Sequence, residues 1–442
     1  MTRLAHPLPA RAVEAAALLA ALLILADWLF FDRALGLSLA LFVLAAGGAA
    51  LWLSPGPRLG PALLLAAGAV PVVELLQPLS ALLCVGFGLA AIAWARGRPG
   101  DWLRPLAWMP VAAPRDGWRA LTLLRQGGAM PGLGGALAGW SLPVGGALVL
   151  VALMAEANPV LDGWLARLSI LPDAERLVWR AVFWSGLALV LWPLLVWVPA
   201  APAARPAGSL PGVNAASVAR ALVAFNAVLA VQTVSDAVLL WGGAGLPEGM
   251  SWATYAHRGA YPLLATALLA IAFSLIARPH LGASRALKAL LVLWLLQNLM
   301  LTASSGLRLT AYVEAYGYTL LRLHAAVWMG TVAAGLGLAL WQVWRERSTD
   351  WLVRRGALLA AAVLWGACLV NFSAIVAAGN AARGGEVDRA TLCALAPTAH
   401  AALAEAGNPA GCKLTGPAIE GWRDWGFRAW RVRSRLHAME DA

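Results

Sequence analysis

The sequence is poor in charged residues, and this scarcity limits what kind of protein it can be. Only 12% of the residues are charged, whereas 61% are hydrophobic. A soluble domain carries about 25% charged residues, so this chain has too little polar surface to cover a globule in water. The composition therefore argues against a soluble protein and predicts an integral membrane protein.

Long apolar runs supply the elements of such a protein. A helix of about 17–25 mostly apolar residues crosses a hydrocarbon core about 30 Å thick and satisfies its own backbone hydrogen bonds. We count about eleven such runs, which predict an all-α, polytopic bundle of about 11 transmembrane helices. They cover residues 13–31, 34–53, 59–76, 78–95, 139–157, 178–198, 215–242, 256–277, 286–304, 319–343 and 354–377.

A proline-rich segment divides the predicted bundle. Four prolines between residues 199 and 211 prevent a continuous helix there. We therefore expect a linker at 199–213 within a membrane bundle that covers residues 1–377. Spans 1–6 end near residue 198, spans 7–11 end near residue 377, and residues 378–442 form a C-terminal tail. The two halves show no internal repeat, so an inverted-repeat transporter is not indicated.

The net charge of +11 is better explained by topology than by nucleic acid. The basic residues are spread over short loops and form no single basic face, so we expect no nucleic-acid partner. With a cytoplasmic N-terminus, the cytoplasmic loops carry about three times as many Arg and Lys residues as the opposite loops. This asymmetry predicts a cytoplasmic N-terminus and, after an odd number of spans, an external tail.

The largest predicted cytoplasmic loop, residues 96–138, contains a segment with two possible structures. Residues 118–125 can form a short amphipathic helix on anionic lipid headgroups. A solvated linker with chance amphipathicity is the alternative. Membrane lipids are accordingly expected partners.

Cysteine is scarce, and the four cysteines fall in two environments. Cys84 and Cys368 lie inside predicted spans, whereas Cys393 and Cys412 lie in the tail predicted to be external. The tail pair can form a disulfide in an oxidising compartment, although two nearby cysteines also occur by chance. His400 is the only other plausible zinc ligand between them, so we expect no metal site and no cofactor.

Tyrosine is also scarce, and all five tyrosines lie in two polar windows, residues 251–262 and 308–324. By the predicted spans, the charges of these windows and a nearby carboxylate lie on the outer side of the membrane. Charges at membrane depth need a partner or a wet cavity. We call this group the outer polar cluster. Its members are Asp236, Tyr255, His257, Arg258, Glu314, Tyr316, Tyr318 and Arg322.

The outer polar cluster supports two interpretations. If residues 311–324 are helical, Glu314, Tyr318 and Arg322 share one helix face. Arg258 and Arg322 can then hold an anionic group through bidentate hydrogen bonds, with the tyrosines shaping a pocket. Alternatively, the two carboxylates neutralise the two arginines in a structural clasp, and the tyrosines form an interfacial belt.

Two stretches resemble a bacterial membrane-protein family without an assigned activity, domain of unknown function 4173, and its relative 4153. One is Tyr255-Ala-His-Arg-Gly-Ala-Tyr-Pro-Leu263, and the other combines Arg308 with Tyr312-Val-Glu-Ala-Tyr-Gly-Tyr-Thr-Leu-Leu-Arg322. Asn371 and Asn380 match an asparagine pair of the family. The sequence departs from the family pattern at Pro262, where many relatives are acidic, and at Tyr318, where they have leucine.

The resemblance implies a polytopic protein of the bacterial inner membrane and supplies no reaction. Familiar catalytic motifs are absent from the sequence, so we do not expect an enzyme. Our leading hypothesis is a protein that binds or transports an anionic small molecule or lipid at the outer polar cluster. One alternative is a membrane-embedded transferase on a lipid-linked substrate, with Glu314 or His324 as base. The other is a structural or signalling partner of another membrane protein, acting through the periplasmic tail and the outer loops.

Overall fold

The structure is a computed structural model that describes most of the chain. It describes residues 8–97, 102–126, 174–197, 214–238, 252–383 and 389–441, with isolated residues between 146 and 164. The side chains of some of these residues, including 252–264, lie outside the description. Most of the predicted span 139–157 and all of the predicted linker 199–213 also lie outside it.

The described residues form helices and turns without a strand. Two 3-10 turns, Arg278–Ala283 and Pro397–Ala399, join some of the helices. The α-helices are α1 Leu8–Phe30, α2 Leu37–Trp52, α3 Leu59–Glu74, α4 Pro78–Arg96, α5 Leu103–Gln126, α6 Ala174–Val196, α7 Ala215–Asp236, α8 Trp252–Ala277, α9 Arg285–Tyr316, α10 Leu320–Trp344, α11 Thr349–Leu369, α12 Phe372–Ala381, α13 Arg389–Cys393, α14 His400–Glu405 and α15 Phe427–Glu440.

Eight helices among the described residues are long and apolar enough to cross a membrane. They are α1, α4 and α6 to α11. The apolar helices α2 and α3 have 16 residues each and are about 24 Å long, less than a hydrocarbon core of about 30 Å. The protein is therefore an all-helical, polytopic membrane protein, as the composition predicts, with eight described helices that meet the length criterion.

Three predicted boundaries differ from the structure. The predicted last span, 354–377, is interrupted, because α11 ends at Leu369 and α12 begins at Phe372. The predicted span 286–304 is too short, since α9 runs on to Tyr316. The amphipathic segment predicted at 118–125 belongs to the longer helix α5. The second and third errors lie where polar residues lower the local hydropathy although the backbone remains helical, whereas the first lies where the backbone leaves the helix at Val370 and Asn371.

The chain divides into two compact units. Unit 1 comprises Met1–Ala203 with Ile419–Phe427, and unit 2 comprises Ala204–Ala418 with Arg428–Ala442. The division after Ala203 falls within the segment predicted as a linker. The C-terminal tail contributes residues to both units.

Unit 1 is built from packed helices whose ends are joined by one arginine. Its largest apolar core takes buried residues from α1, α2, α4, α5 and α6. Arg96, the last residue of α4, donates from Nε to Ser54 Oγ at 3.0 Å and from Nη2 to the Ala50 carbonyl at 3.0 Å. Its remaining donors bond to carbonyls at the end of α6, those of Leu194, Leu195 and Trp197, at 2.7–3.0 Å. All five N–H groups of this guanidinium are thus satisfied.

An ion pair joins α1 to α6 within unit 1. Arg180 donates from Nε and Nη2 to the two carboxylate oxygens of Asp27 at 2.5 and 2.6 Å. Trp184 Nε1 donates to the same carboxylate at 3.0 Å. The arrangement is a bidentate, charge-assisted contact, so Asp27 is accounted for as a structural partner.

The part of the tail that belongs to unit 1 packs against its first turn. The Ser38 amide donates to the Arg423 carbonyl at 3.1 Å. The Arg423 guanidinium lies 4.8 Å from the ring centre of Trp28 and 4.7 Å from that of Trp422. A Cβ added at Gly36 would lie 2.4 Å from the Asp424 Cα. Only glycine therefore permits this approach of the two backbones.

Unit 2 is organised around α9. Its apolar core takes buried residues from α7, α8, α9, α10 and α11, with Leu291 and Leu295 of α9 fully buried. Ser284 caps the start of α9 by accepting a hydrogen bond from the Ala286 amide at 3.1 Å. With 32 residues, α9 is about 48 Å long, which exceeds the thickness of a hydrocarbon core.

Candidate functional site

Two deeply buried charges of unit 2 form an ion pair between α7 and α9. Arg308 Nη2 donates to Asp236 Oδ1, and the two side chains are only 5% and 1% exposed. Gln232 Nε2 donates to the same Asp236 oxygen at 2.9 Å. Both charged residues belong to helices that are long and apolar enough to span a membrane. A charge in such a position is costly, so pairing explains how both persist there.

Further buried polar residues follow the two helices away from this ion pair. Asn226 of α7 donates to the carbonyls of Leu222 at 2.8 Å and of Leu290, on α9, at 3.0 Å. On α9 the residues recur at helical spacing on one side. We call the whole set the polar seam. Its members are Asn226, Gln232 and Asp236 of α7 and Asn298, Thr302, Ser305 and Arg308 of α9.

Oxygen atoms of the polar seam remain without a donor from the described residues. They are Asn226 Oδ1, Asp236 Oδ2 and Asn298 Oδ1. By contrast, the hydroxyl groups of Thr302 and Ser305 donate to carbonyls of their own helix at 2.8 Å. A buried acceptor without a donor is rare in proteins, so these atoms mark the seam as a place where a further polar group can bind.

The second polar window does not form the continuous helix over residues 311–324 that a shared face would require. The α9 helix ends at Tyr316, and α10 begins at Leu320 with Thr319 as its N-cap. Gly317 lies between them with φ of 78°, a conformation that favours glycine. The condition under which Glu314, Tyr318 and Arg322 would share one helix face is therefore not met, because a helix stop signal and a helix start signal separate them.

Asn380 of α12 holds this turn through the backbone of Tyr318. Its Oδ1 accepts a hydrogen bond from the Tyr318 amide at 2.7 Å, and its Nδ2 donates to the Tyr318 carbonyl at 2.8 Å. A Cβ at Gly317 would lie 2.7 Å from the same Oδ1. The Asn380 side chain thus satisfies both backbone hydrogen-bonding groups of Tyr318, which lies between two helices.

Two arginines satisfy the last carbonyls of α9. Arg322 Nη1 donates to the carbonyls of Tyr316 at 2.9 Å and of Gly317 at 2.5 Å. Arg383 donates to the carbonyl of Val313 at 2.9 Å and to that of Glu314. Cations at the negative end of a helix are favourable, and carbonyls there lack helical partners. These contacts make the region a structural cap of α9.

Aromatic rings surround the same turn. The Arg322 guanidinium lies 4.0 Å from the ring centre of Tyr312, and that ring lies 5.2 Å from the ring of Tyr316. His324 packs edge-on against Phe372, with 4.9 Å between ring centres. These contacts give Arg322 and the predicted base His324 packing partners within unit 2.

The outer polar cluster is thus divided between different environments. Asp236 lies in the polar seam, where its partners among the described side chains are Arg308 and Gln232. Glu314 is exposed at the end of α9, and its backbone carbonyl accepts a hydrogen bond from Arg383. Tyr255, His257 and Arg258 lie in α8, but their side chains are outside the described residues.

Sequence reasoning missed Arg308 as a site residue. It belongs to the second polar window, yet a span that stops at residue 304 puts it in an external loop. The helix in fact continues to Tyr316, and no proline lies between residues 304 and 316 to end it. Had α9 been extended, Arg308 would have been recognised as a charge at membrane depth in need of a carboxylate.

The tail contains a disulfide between Cys393 and Cys412, whose Cα atoms are 5.2 Å apart. His400 is buried nearby, and its Nδ1 accepts a hydrogen bond from the Thr415 amide at 2.9 Å. Among the described residues, no group of three or more His, Cys, Asp or Glu side chains is placed to hold a metal ion.

Comparison with known proteins gives one finding. Residues 59–406 match the family described as Domain of unknown function (DUF4153). The match supports the resemblance to 4153 and not a separate assignment to 4173. Neither a curated protein nor a solved structure matches the chain. Since the match covers more than half of the sequence and includes both polar windows, the chain belongs to the DUF4153 family.

Proposed function

We propose that unit 2 binds and transports a small solute carrying a carboxylate or phosphate group, with Arg308 as its ligand. We place the protein in the bacterial inner membrane with a cytoplasmic N-terminus. The observation that carries the proposal is the Asp236–Arg308 ion pair, buried within helices that can span a membrane. Ionisable residues at such depth mark substrate or ion pathways more often than they serve as scaffold.

Arginine suits the proposed role because its planar fork of donors matches a carboxylate or a phosphate in two hydrogen bonds. In the structure, Asp236 accepts a hydrogen bond from the Arg308 guanidinium. An incoming anion can replace Asp236 without leaving the guanidinium unpaired, so the exchange avoids a buried, isolated charge. Gln232, which already donates to Asp236, can retain the displaced carboxyl group.

The polar seam supports a path for the solute beside this ion pair. Three of its oxygens lack a donor among the described residues and can accept hydrogen bonds, so a hydrated or protonated group fits them better than a bare anion would. The seam also explains why α7 and α9 carry amide side chains where apolar residues would pack more simply. Arg322 caps the end of α9 and is not part of the proposed ligand site.

The two partners of the ion pair should respond to anions in opposite ways. Asp236→Asn removes the carboxylate that competes with an incoming anion for Arg308 and takes away the opposite charge beside that guanidinium. We expect this variant to be less stable alone, by about 3 kcal/mol, and to bind anions at least about tenfold more tightly than the wild type. Arg308→Gln should abolish binding. The assay is thermal unfolding of the detergent-purified protein with inorganic phosphate, succinate or phosphatidylglycerol.

The three anions distinguish a free solute from a lipid headgroup. Asp236→Asn/Arg308→Gln should recover stability and remain insensitive to every anion. Arg322→Gln is the control, because it should lower stability at the α9 cap and leave the anion response unchanged. A structural clasp predicts a different pattern, in which Asp236→Asn is destabilised and gains nothing from any anion while the double variant recovers. That result would refute the proposal.

A further inference from the structure

The helix α5 of unit 1 is the most amphipathic long helix of the described chain, and one face is fixed to the unit 1 core. Met109, Ala112 and Ala113 are buried there. Trp192 Nε1 of α6 donates to the Gly117 carbonyl at 3.0 Å. A Cβ at Gly117 would lie 3.2 Å from Pro193, so α5 packs closely against the C-terminal end of α6.

These contacts place α5 beside the C-terminal ends of two candidate spans. The C-terminal ends of α4 and α6 lie together, because Arg96 at the end of α4 bonds to the last carbonyls of α6. Both helices are candidate spans, whereas α5 does not meet the criteria for one. A helix fixed beside the ends of two spans lies at the level of the lipid headgroups.

The opposite face of α5 mixes exposed aromatic, aliphatic and basic side chains. Trp108, Val111 and Trp118 are 47%, 66% and 65% exposed. The side chains of Arg115 and Arg119 are 55% and 66% exposed. Positions 108, 111, 115 and 118 are three or four residues apart and form one stripe. Large apolar side chains and cations therefore share the surface that faces away from the core.

One carboxylate reduces the positive charge of this face. Asp116 lies 3.5 Å from Arg115 Nε and 4.0 Å from Arg119 Nη1, and its own side chain is 15% exposed. The two arginines exceed it by one charge, and Arg104 is also exposed at the start of the helix. The face remains positive, and its tryptophans have the amphipathic character found at lipid interfaces.

We propose that α5 is an interfacial helix that binds the phosphate groups of anionic phospholipids through Arg115 and Arg119. Trp108, Val111 and Trp118 lie in the boundary between headgroups and acyl chains. The charge of the face selects anionic over zwitterionic lipid. The lipids belong to the leaflet where α4 and α6 end, which we take to be the cytoplasmic one because Arg and Lys residues concentrate there.

The test uses the full-length protein in nanodiscs of phosphatidylcholine alone or with phosphatidylglycerol. Native mass spectrometry after release counts the lipids that each protein retains. We expect the wild type to prefer phosphatidylglycerol, and Arg115→Gln/Arg119→Gln to bind it about tenfold more weakly. The control, Arg58→Gln/Arg220→Gln, removes two other exposed arginines and should keep the preference.

Two results would overturn the proposal. One is the absence of a preference for phosphatidylglycerol in the wild type. The other is an equal loss in both double variants, which would show attraction to total charge instead of a site on α5. Because the substituted side chains are exposed, folding should be intact, and circular dichroism with thermal unfolding checks it. The outcome does not depend on Asp236 or Arg308.

Discussion

Replacing Arg96 with methionine should destabilise unit 1 more than any other single arginine substitution in that unit. The guanidinium makes five hydrogen bonds, four of them to backbone carbonyls at the ends of α2 and α6. Methionine fills similar space but cannot donate, so these carbonyls lose their partners.

The magnitude follows from the number of bonds. Each bond contributes about 1 kcal/mol net, and a buried acceptor left unpaired costs about 1–3 kcal/mol. Local relaxation and entry of water at the helix ends recover part of this loss. We therefore expect Arg96→Met to lower the free energy of unfolding by about 3–5 kcal/mol. Arg96→Lys keeps the charge and three donors, so we expect a loss of about 1–2 kcal/mol.

The assay is unfolding of the purified protein in detergent, followed by tryptophan fluorescence. Arg58→Met is the matched control, because Arg58 also donates to a backbone carbonyl, that of Trp52 at 3.2 Å, but is exposed. Its loss should be about 0–1 kcal/mol. If Arg96→Met is no less stable than Arg58→Met, the assignment of Arg96 as the joint of three helix ends is wrong.

Three further predictions concern the tail and the turn after α9. Burial alone would raise the pKa of Asp424, but hydrogen bonds from backbone amides outweigh it and lower that pKa. Its contribution to stability is therefore present above about pH 4 and lost as the pH falls, so Asp424→Asn should flatten the acid limb of an unfolding profile. Asn380→Leu should cost about 2–3 kcal/mol, because both backbone groups of Tyr318 lose their partner, and hydrogen exchange at Tyr318 should quicken. Cys393→Ser/Cys412→Ser should cost about 3 kcal/mol by the loop-entropy estimate, measured as unfolding with and without reductant.

Composition and apolar run length were sufficient to predict an all-helical membrane protein. Both depend on local hydropathy, and an apolar segment in a bilayer must form a helix because its backbone groups have no other hydrogen-bond partners there. The same measure failed where polar residues occur within a helix. It ended the predicted ninth span at residue 304 although α9 continues to Tyr316, and Arg308 was consequently assigned to a loop.

The turn at Gly317 could have been predicted, because its signals are local. Glycine after a helical run and threonine before the next are ordinary stop and start residues. The four-residue spacing of Glu314, Tyr318 and Arg322 suggests one helix only when these stop and start residues are disregarded. By contrast, the bond between Asn380 and Tyr318 joins residues 62 positions apart, and spacing along the chain carries no information about such a pair.

Arg96 shows a different limit. In the sequence it is one of many basic residues at the ends of apolar runs, where the positive-inside rule accounts for it fully. In the structure it is a partly buried hydrogen-bond donor to two other helices. Nothing within α4 indicates this, because the carbonyls that it meets are made available by the packing of α2 and α6.

The sharing of the C-terminal tail between the two units has a consequence for biosynthesis. Residues 419–427 belong to unit 1, although they leave the ribosome after nearly all of unit 2. Unit 1 therefore remains incomplete during translation until residues 419–427 have been synthesised. A chain truncated before residue 419 would lack a part of each unit, so premature termination should yield a product that quality-control proteases recognise in both halves at once.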